Sequence, residues 1–362
     1  MTNKNLYLDL NVLQTVPSSN LNRDDTGAPK TAMYGGAIRS RVSSQSWKKA
    51  MRDFFREESI ATGTRTKEIA KFLAQKIMNL DNSLNEKKAM DKSATILKAA
   101  GIKANKKDNK TNALLLVSPG QIEKLAQYAL SHDTFDDKDD KKEIKTILQE
   151  DNSLDLALFG RMVADNPELN VDASAQVAHA ISTHEIVPEY DYFTALDDLQ
   201  SDDNAGAAML GTIEYNSSTL YRYANVNVKD LAKNLGDNDA VASIADFIKA
   251  FVLSMPTGKQ NTFANKTLPS YVMLTVRTDT PVNLVSAFEK PVATKGGYVQ
   301  KSIEKLETEY KEANQMVEQP MLNVILTNKA TELADQTNNL SDLIEQVTTA
   351  LTKALQDEDT ND

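Results

Sequence analysis

The chain has 362 residues, of which 41% are hydrophobic, and its 41 Lys plus Arg against 51 Asp plus Glu give a formal net charge of −10. This composition argues against a disordered chain and against a generic basic nucleic-acid binder. The absence of cysteine excludes disulfides, thiolate metal sites and cysteine nucleophiles. With no signal-peptide pattern and no apolar run of about 18 residues, we expect a soluble, cytoplasmic protein with no membrane partner.

Positive charge is concentrated near the start of the chain. Residues 30–56 hold seven basic residues against a single acid, whereas residues 329–362 hold two lysines against eight acids. Salt screens charges beyond about 10 Å, so a local basic surface can bind phosphate groups although the whole chain is acidic. The local excess favours an anion-binding surface over an ordinary solvated helix face.

The predicted elements begin with a half-buried strand, because apolar and polar residues alternate over 6–12. A long connection follows, and the serines at 43–46 predict the cap of a helix with apolar residues at 47, 50, 51 and 54. Residues 58–158 are predicted to form an inserted, mostly helical lobe. The remaining elements are strands at 171–182 and 220–228, a helix at 239–254 and a strand at 270–277. This order predicts an α+β, ferredoxin-like fold, as in RNA recognition motifs.

Few side chains in this sequence suggest catalysis. His179 and His184 would face opposite sides of a strand, so a shared metal is not expected. Ordinary roles, a core histidine at 179 and a surface histidine at 184, are favoured, although both remain candidates for a general base in RNA cleavage. Tyr221 and Tyr223 are expected to pack rather than to stack on bases. The acids at 24–25 and 136–140 fit capping and solvation better than magnesium binding. We therefore predict no catalytic residue, no metal and no cofactor.

Several longer motifs are similar to one known family. The first three are residues 21–25 (LNRDD), the Gly-Gly pair at 35–36, and residues 41–52 (RVSSQSWKKAMR). Further segments follow in the family's order at 160–162, 178–184, 191–199 and 221–225. Together they resemble the CasC family, the backbone subunits of the type I-E CRISPR Cascade surveillance complex. The similarity extends over most of the chain to about residue 300.

The resemblance implies a domain organisation for this chain. It implies a palm with a modified RNA-recognition-motif fold, a helical fingers lobe and a protruding thumb. We place the first strand and helix of the palm at 1–57, the fingers insertion at 58–170, more palm at 171–189, a thumb loop at 190–218, and palm with C-terminal helices at 219–362. The tip of the thumb would be slim and flexible at Gly206, Ala207, Ala208 and Gly211, or else a disordered acidic loop at 201–204.

The resemblance also implies binding residues. RNA contacts are predicted for Arg23, Lys30, Arg41, Ser43, Gln45, Lys48, Lys49, Arg52, Arg161 and Met162. Base wedges in the thumb are predicted at Tyr192 and Phe193, and contacts with duplex DNA at Lys141, Lys142 and Lys145. Gripping the RNA backbone rather than base edges suits a protein that must accept any guide sequence.

The implied function is that of a non-enzymatic subunit that assembles in several copies along a CRISPR RNA. Its implied partners are CRISPR RNA, target DNA, further copies of itself and the other Cascade subunits. One different possibility is a ferredoxin-like CRISPR endoribonuclease using His179 or His184. Another is a protein scaffold that never contacts nucleic acid.

Overall fold

The computed structural model combines strands and helices and describes residues 5–105, 108–163, 166–195, 209–333 and 335–359. The strands in these ranges are β1 (Tyr7–Ser19), β2 (Thr31–Tyr34), β3 (Ala37–Val42), β4 (Thr64–Thr66), β5 (Leu115–Val117), β6 (Ala175–Val177), β7 (Ala180–Ser182), β8 (Glu189–Ala195), β9 (Met209–Asn227), β10 (Tyr271–Arg277) and β11 (Leu322–Thr327). The helices are α1 (Ser44–Glu57), α2 (Ile69–Leu80), α3 (Glu86–Ala99), α4 (Pro119–Ser131), α5 (Lys138–Gln149), α6 (Leu154–Phe159), α7 (Val228–Leu235), α8 (Asp237–Leu253), α9 (Gln260–Phe263), α10 (Val299–Ala313) and α11 (Leu340–Asp359). Within the described ranges, none of the helices has the length and apolarity to cross a membrane.

Most strands join one sheet. Its order is β11-β10-β1-β9-β7-β3-β2, and β6 and β8 each pair with β9. The pairs β1–β10, β10–β11, β3–β7 and β7–β9 are antiparallel. The short strands β4 and β5 form a separate antiparallel pair. The predicted α+β class is confirmed, while the ferredoxin-like arrangement stays a prediction.

The first strand is buried on both faces, although its alternating sequence predicts a half-buried strand. Strand β1 lies between β10 and β9, and residues 8–11 are all at most 2% exposed. Its polar side chains have partners, because the Tyr223 hydroxyl donates to Asp9 and the Tyr221 hydroxyl donates to Asn11, each at 2.7 Å. Burial raises the pKa of Asp9 to about 6. The prediction that both tyrosines pack inside the protein is confirmed.

Strands β2 and β3 form a hairpin where the sequence predicts only a connection. Tyr34 pairs with Ala37 across a two-residue turn. Gly35 and Gly36 have φ angles of 57° and 74°, the left-handed conformation that such tight turns require. A Cβ atom on Gly35 would lie 1.6 Å from the carbonyl oxygen of Glu289, so only glycine fits there. The Gly-Gly pair is the sequence signal for this turn.

The chain forms two compact units, each with its own core. Unit 1 consists of Met1–Met51, Val177–Asn225 and Ile244–Asp362, and unit 2 of Arg52–Gln176 and Val226–Ser243. The core of unit 1 packs side chains of β1, β9, β10 and β11 with those of α10. The core of unit 2 packs α2, α3, α4 and α5 with β5. Unit 2 contains the helices of the predicted insertion, whose boundaries at 58 and 170 stay predictions.

Candidate nucleic-acid interface

A basic cluster, defined as Lys30, Arg41 and His179, lies on one face of the sheet in unit 1. Lys30 directly precedes β2, and its carbonyl oxygen accepts a hydrogen bond from Arg41 N at 2.9 Å. Arg41 lies opposite Ile181 of β7, so His179, two residues earlier, is its diagonal neighbour on the same face. Arg41 Nη1 and His179 Nδ1 are 3.2 Å apart. The fold therefore brings two predicted RNA contacts, Lys30 and Arg41, together.

The charges around this cluster suit an anionic ligand. Burial lowers the pKa of His179, and the neighbouring cations Arg41 and Lys30 lower it further. The ring is therefore neutral at pH 7, and its Nδ1 accepts from Arg41, because a guanidinium carries donors alone. Arg41 Nε also donates to the carbonyl oxygen of Thr31 at 3.0 Å, which fixes the plane of the group. Such an arrangement of donors fits a phosphate oxygen.

The loop before β2 carries Arg23, whose backbone bridges to that of Pro29. The carbonyl oxygen of Asn22 accepts from Lys30 N at 2.8 Å, which closes the loop. Within it, Asp24 Oδ1 accepts from the Thr26 hydroxyl at 2.7 Å, and this bond lowers the pKa of Asp24. Arg23 is exposed and lines an open cavity of about 580 Å³. Asp24 thus caps the loop, the role that the sequence favours over magnesium binding.

Helix α1 begins directly after Ser43, as the serine-rich sequence predicts. The Ser43 hydroxyl oxygen accepts from a backbone N–H of the first turn at 3.3 Å. Trp47 is 1% exposed and anchors the helix, whereas Gln45 and Lys49 are exposed. Lys48 is half-buried, and burial lowers its pKa. The RNA contacts predicted for these residues stay predictions, and exposure favours Gln45 and Lys49.

The Arg52 side chain forms an ion pair within unit 2. Its Nε donates to Asp155 Oδ2 at 2.6 Å and its Nη2 donates to the carbonyl oxygen of Gly63 at 3.1 Å. The Asp155 side chain is fully buried, and the Arg52 side chain is 13% exposed. The predicted RNA contact of Arg52 stays a prediction, but the geometry gives this guanidinium a structural role in unit 2.

The Arg161 side chain also has its hydrogen-bond partners within unit 2. It is 5% exposed and donates to the carbonyl oxygens of Leu169, Leu116 and Leu148. Burial lowers its pKa to about 10. Met162 is 83% exposed and lines an open cavity of about 600 Å³. Of the two predicted contacts here, Met162 is the one whose side chain a ligand can reach.

Arg65 lines the same cavity, although no motif in the sequence marks it. It lies in β4, a three-residue strand that pairs with β5, which begins about 50 residues later in the chain. Strands this short leave no periodic pattern to detect. Arg65 is therefore a further basic side chain at the cavity that Met162 lines.

The predicted thumb begins as a two-stranded ribbon rather than as a loop. Strand β8 pairs with β9 in an antiparallel register that places Tyr192 opposite Thr212 and Phe193 opposite Gly211. Tyr192 is 64% exposed and Phe193 is 38% exposed. A Cβ atom on Gly211 would lie 2.2 Å from Phe193 Cζ, so this glycine allows the ring to cross the ribbon. Of the predicted tip, Gly211 lies in β9, whereas Gly206, Ala207, Ala208 and residues 201–204 lie outside the described residues.

The lysines predicted to contact DNA lie on α5. The helix buries its apolar face, as predicted, and exposes Lys141 and Lys142. Lys141 Nζ donates to the carbonyl oxygen of Asp136 at 2.6 Å, and Lys145 forms an ion pair with Glu168. Their contact with DNA stays a prediction, and the ion pair makes Lys145 the least accessible of the three.

Comparison with known proteins shows the family to which this chain belongs. A family model described as CT1975-like protein matches residues 8–350. The chain belongs to the CT1975-like family. Among solved structures, a chain of a "CRISPR RNA-guided surveillance complex, pre-nicking" is 30% identical with a TM-score of 0.84, and the match covers 95% of this chain and 100% of that one. A chain of another "CRISPR RNA-guided surveillance complex" is 26% identical with a TM-score of 0.74, covering 95% and 99%.

A search of the curated proteins gives no match. The predicted resemblance to a Cascade subunit family is confirmed by the family and structural matches. The type I-E subtype stays a prediction.

The two histidines of this CT1975-like protein have exchanged the roles that their positions suggest. His179, expected in the core, is exposed, because the strand pattern breaks at 178–179 between β6 and β7. His184, expected at the surface, is 4% exposed and stacks on Tyr298 with ring centroids 3.6 Å apart. Its Nδ1 donates to the Glu185 carbonyl oxygen at 2.8 Å, and its Nε2 accepts from Thr219 N at 3.1 Å. With both nitrogens bonded, His184 is poorly placed to act as a general base.

The burial of neutral His184 predicts a pH-dependent stability. Burial lowers its pKa in the folded protein below 6.5, so the unfolded chain binds a proton at a pH where the folded chain does not. The contribution of His184 to the free energy of unfolding should therefore fall as the pH drops below about 6.5, by at most about 1.4 kcal/mol per pH unit. Urea unfolding of the wild type and of His184→Gln between pH 7 and pH 5 measures the difference, and the variant should have the flatter profile. His132→Gln, at an exposed histidine, is the control, and a wild-type profile in His184→Gln would refute the assignment.

Proposed function

We propose that this CT1975-like protein is a CRISPR RNA-binding subunit of a Cascade-type surveillance complex. The observation that carries the proposal is the match in sequence and fold to a chain of a CRISPR RNA-guided surveillance complex, which extends over 95% of this protein. The basic cluster of unit 1 supports RNA as the ligand, because Lys30 and Arg41 are both partly exposed and lie together on one face of the sheet. Several copies would assemble along the guide together with other Cascade subunits.

Recognition in this proposal is independent of the RNA sequence. Arginine and lysine donors at Arg23, Lys30 and Arg41 suit phosphate oxygens, which are the same at every nucleotide. A guide must be held by its backbone so that its bases stay free to pair with target DNA. The exposed rings of Tyr192 and Phe193 on the ribbon would contact RNA bases bound by a neighbouring copy, since aromatic rings stack on any base.

Binding of single-stranded RNA to the purified full chain tests this proposal. Two labelled RNAs of unrelated sequence and equal length should bind with affinities within about threefold of each other, because phosphate contacts carry no sequence information. Affinity for both should fall steeply as salt rises, with a slope in log K against log salt of about −0.7 per phosphate contact. Binding that is indifferent to salt, or strong for one sequence alone, would contradict the proposal.

We also propose that the chain is not an enzyme. The competing assignment, a metal-independent endoribonuclease, has His179 as its better-placed base, because His184 is buried with both nitrogens bonded. A CRISPR repeat RNA incubated with the protein in the presence of a metal chelator should remain intact on a denaturing gel. Cleavage that disappears in His179→Ala would establish the endoribonuclease instead.

A further inference from the structure

The Arg41 guanidinium is held from two sides. Its Nε donates to the Thr31 carbonyl oxygen at 3.0 Å, and its Nη1 lies 3.2 Å from His179 Nδ1. An arginine has five N–H donors in a rigid plane, so fixing two of them sets the direction of the other three. These three remain for a ligand beside Lys30.

The contact with Arg41 defines the chemical state of His179. Because arginine can only donate, Nδ1 must be the unprotonated nitrogen, and the ring proton of the neutral form is on Nε2. The charged groups that act on the ring are Arg41 and Lys30, both cations, so the neutral form is favoured. The two side chains therefore support each other's state, since the neutral His179 ring orients the Arg41 guanidinium and the charge of Arg41 keeps the ring neutral.

Within the described part of the chain, the hydrogen bond with Arg41 is the contact that the His179 side chain makes. The side chain is exposed at the break between β6 and β7, where the backbone is held independently by the bond from Ala178 N to the Tyr223 carbonyl oxygen, 2.9 Å. His184 differs, because its ring is buried against Tyr298 and bonds two backbone groups. Removing the His179 ring should therefore leave the stability of unit 1 unchanged.

We propose that His179 is a positioning residue for RNA binding, which holds Arg41 so that its free donors, together with Lys30, form a phosphate subsite. This inference rests on the proposed function, because it needs RNA as the ligand. His179 acts through Arg41 and does not itself contact the phosphate.

A double-mutant cycle on RNA affinity tests this inference. His179→Ala should weaken binding of single-stranded RNA by about threefold to tenfold, the usual effect of losing one hydrogen bond. In an Arg41→Ala background the same substitution should change the affinity by less than about twofold, because the arginine through which it acts is gone. His179→Asn, whose Oδ1 takes the place of Nδ1, should restore most of the affinity. His132→Ala, an exposed histidine of unit 2, is the matched control and should bind as the wild type does.

The double-mutant cycle separates a positioning role of His179 from the other roles that it could have. If the wild type binds RNA and Arg41→Ala weakens it while His179→Ala does not, the positioning role is refuted and the proposed function survives. Equal losses from His179→Ala in both backgrounds would show that His179 acts independently of Arg41, and a lowered melting temperature of His179→Ala would show a structural role. If the wild type does not bind RNA at all, the proposed function and this inference both fail.

Discussion

Replacing Lys30 and Arg41 together by alanine is expected to weaken the binding of single-stranded RNA by about 10-fold to 100-fold, since two charge-assisted contacts are lost. The slope of log K against log salt should also become shallower by about 1.4, because each phosphate contact contributes about 0.7 on a single strand. Fluorescence anisotropy with a labelled RNA at several salt concentrations measures both quantities.

The matched control is the Lys301→Ala/Lys353→Ala double variant. It removes the same amount of charge from exposed positions of unit 1 on α10 and α11. It should keep the wild-type slope, and its affinity should change little, because a screened charge acts over only about 10 Å. Equal losses in the two double variants would mean that RNA senses overall charge, and the basic cluster would not be the binding site.

Replacing Arg52 by alanine is expected to lower the free energy of unfolding by about 3–5 kcal/mol, the usual cost of breaking a buried ion pair. The Asp155 carboxylate is fully buried, and Arg52 Nε donates to it at 2.6 Å. Two further donors, Gly63 N and the Ser153 hydroxyl, also bond Asp155, but neither carries a charge. Without Arg52 the buried carboxylate would lose the cation that hydrogen-bonds to it, and only the longer-range charge of Arg65 would still act on it. Urea unfolding followed by circular dichroism measures the loss.

Arg56→Ala, one turn further along α1, is the control for Arg52→Ala. Arg56 pairs with Asp53 at 3.1 Å, but both side chains are more than one third exposed. Exposed ion pairs contribute about 0–1 kcal/mol, so this variant should unfold nearly as the wild type does. If Arg52→Ala were as stable as Arg56→Ala, the ion pair with Asp155 would have no structural importance, and Arg52 would return to the candidates for RNA binding.

Local patterns in the sequence predict the local structure of this protein well. The serine cap and the buried Trp47 of α1 follow from spacing alone, and so does the apolar face of α5. The same patterns do not reveal which faces of a strand are covered. Asp9 and Asn11 read as solvent-facing residues of β1, yet both are buried because Tyr223 and Tyr221, more than 200 residues later, supply their hydrogen-bond partners.

Charge counting overestimates the basic surface of this chain for the same reason. Arg39 is fully buried and donates to the carbonyl oxygens of Ser182 and Phe288, far away in the sequence. Arg222 is 1% exposed, and its guanidinium stacks on the Trp47 ring at 3.7 Å. A count of basic residues treats these arginines and exposed Arg23 alike. Only the fold separates a guanidinium that binds its own backbone from one that can bind a ligand.

The family motifs, by contrast, identify candidate binding residues that periodic spacing does not reveal. Lys30, Arg41 and Ser43 lie in short segments with no periodic pattern of their own, yet the resemblance selects them, and the fold brings Lys30 and Arg41 side by side. The contact of Arg41 with His179 could not be predicted, because it depends on the pairing of β3 with β7, which are more than 130 residues apart. Long-range strand pairing is the information that one sequence lacks.

Purification of the protein from its native host tests most directly whether it binds CRISPR RNA. The absorbance ratio at 260 and 280 nm and a denaturing gel of the extracted nucleic acid report what the protein carries. We predict short RNA of one uniform length in the wild type, and a clear loss of it in the Lys30→Ala/Arg41→Ala variant. Wild-type protein free of RNA, or carrying RNA of mixed lengths, would contradict the claim and favour a scaffold that does not bind a guide.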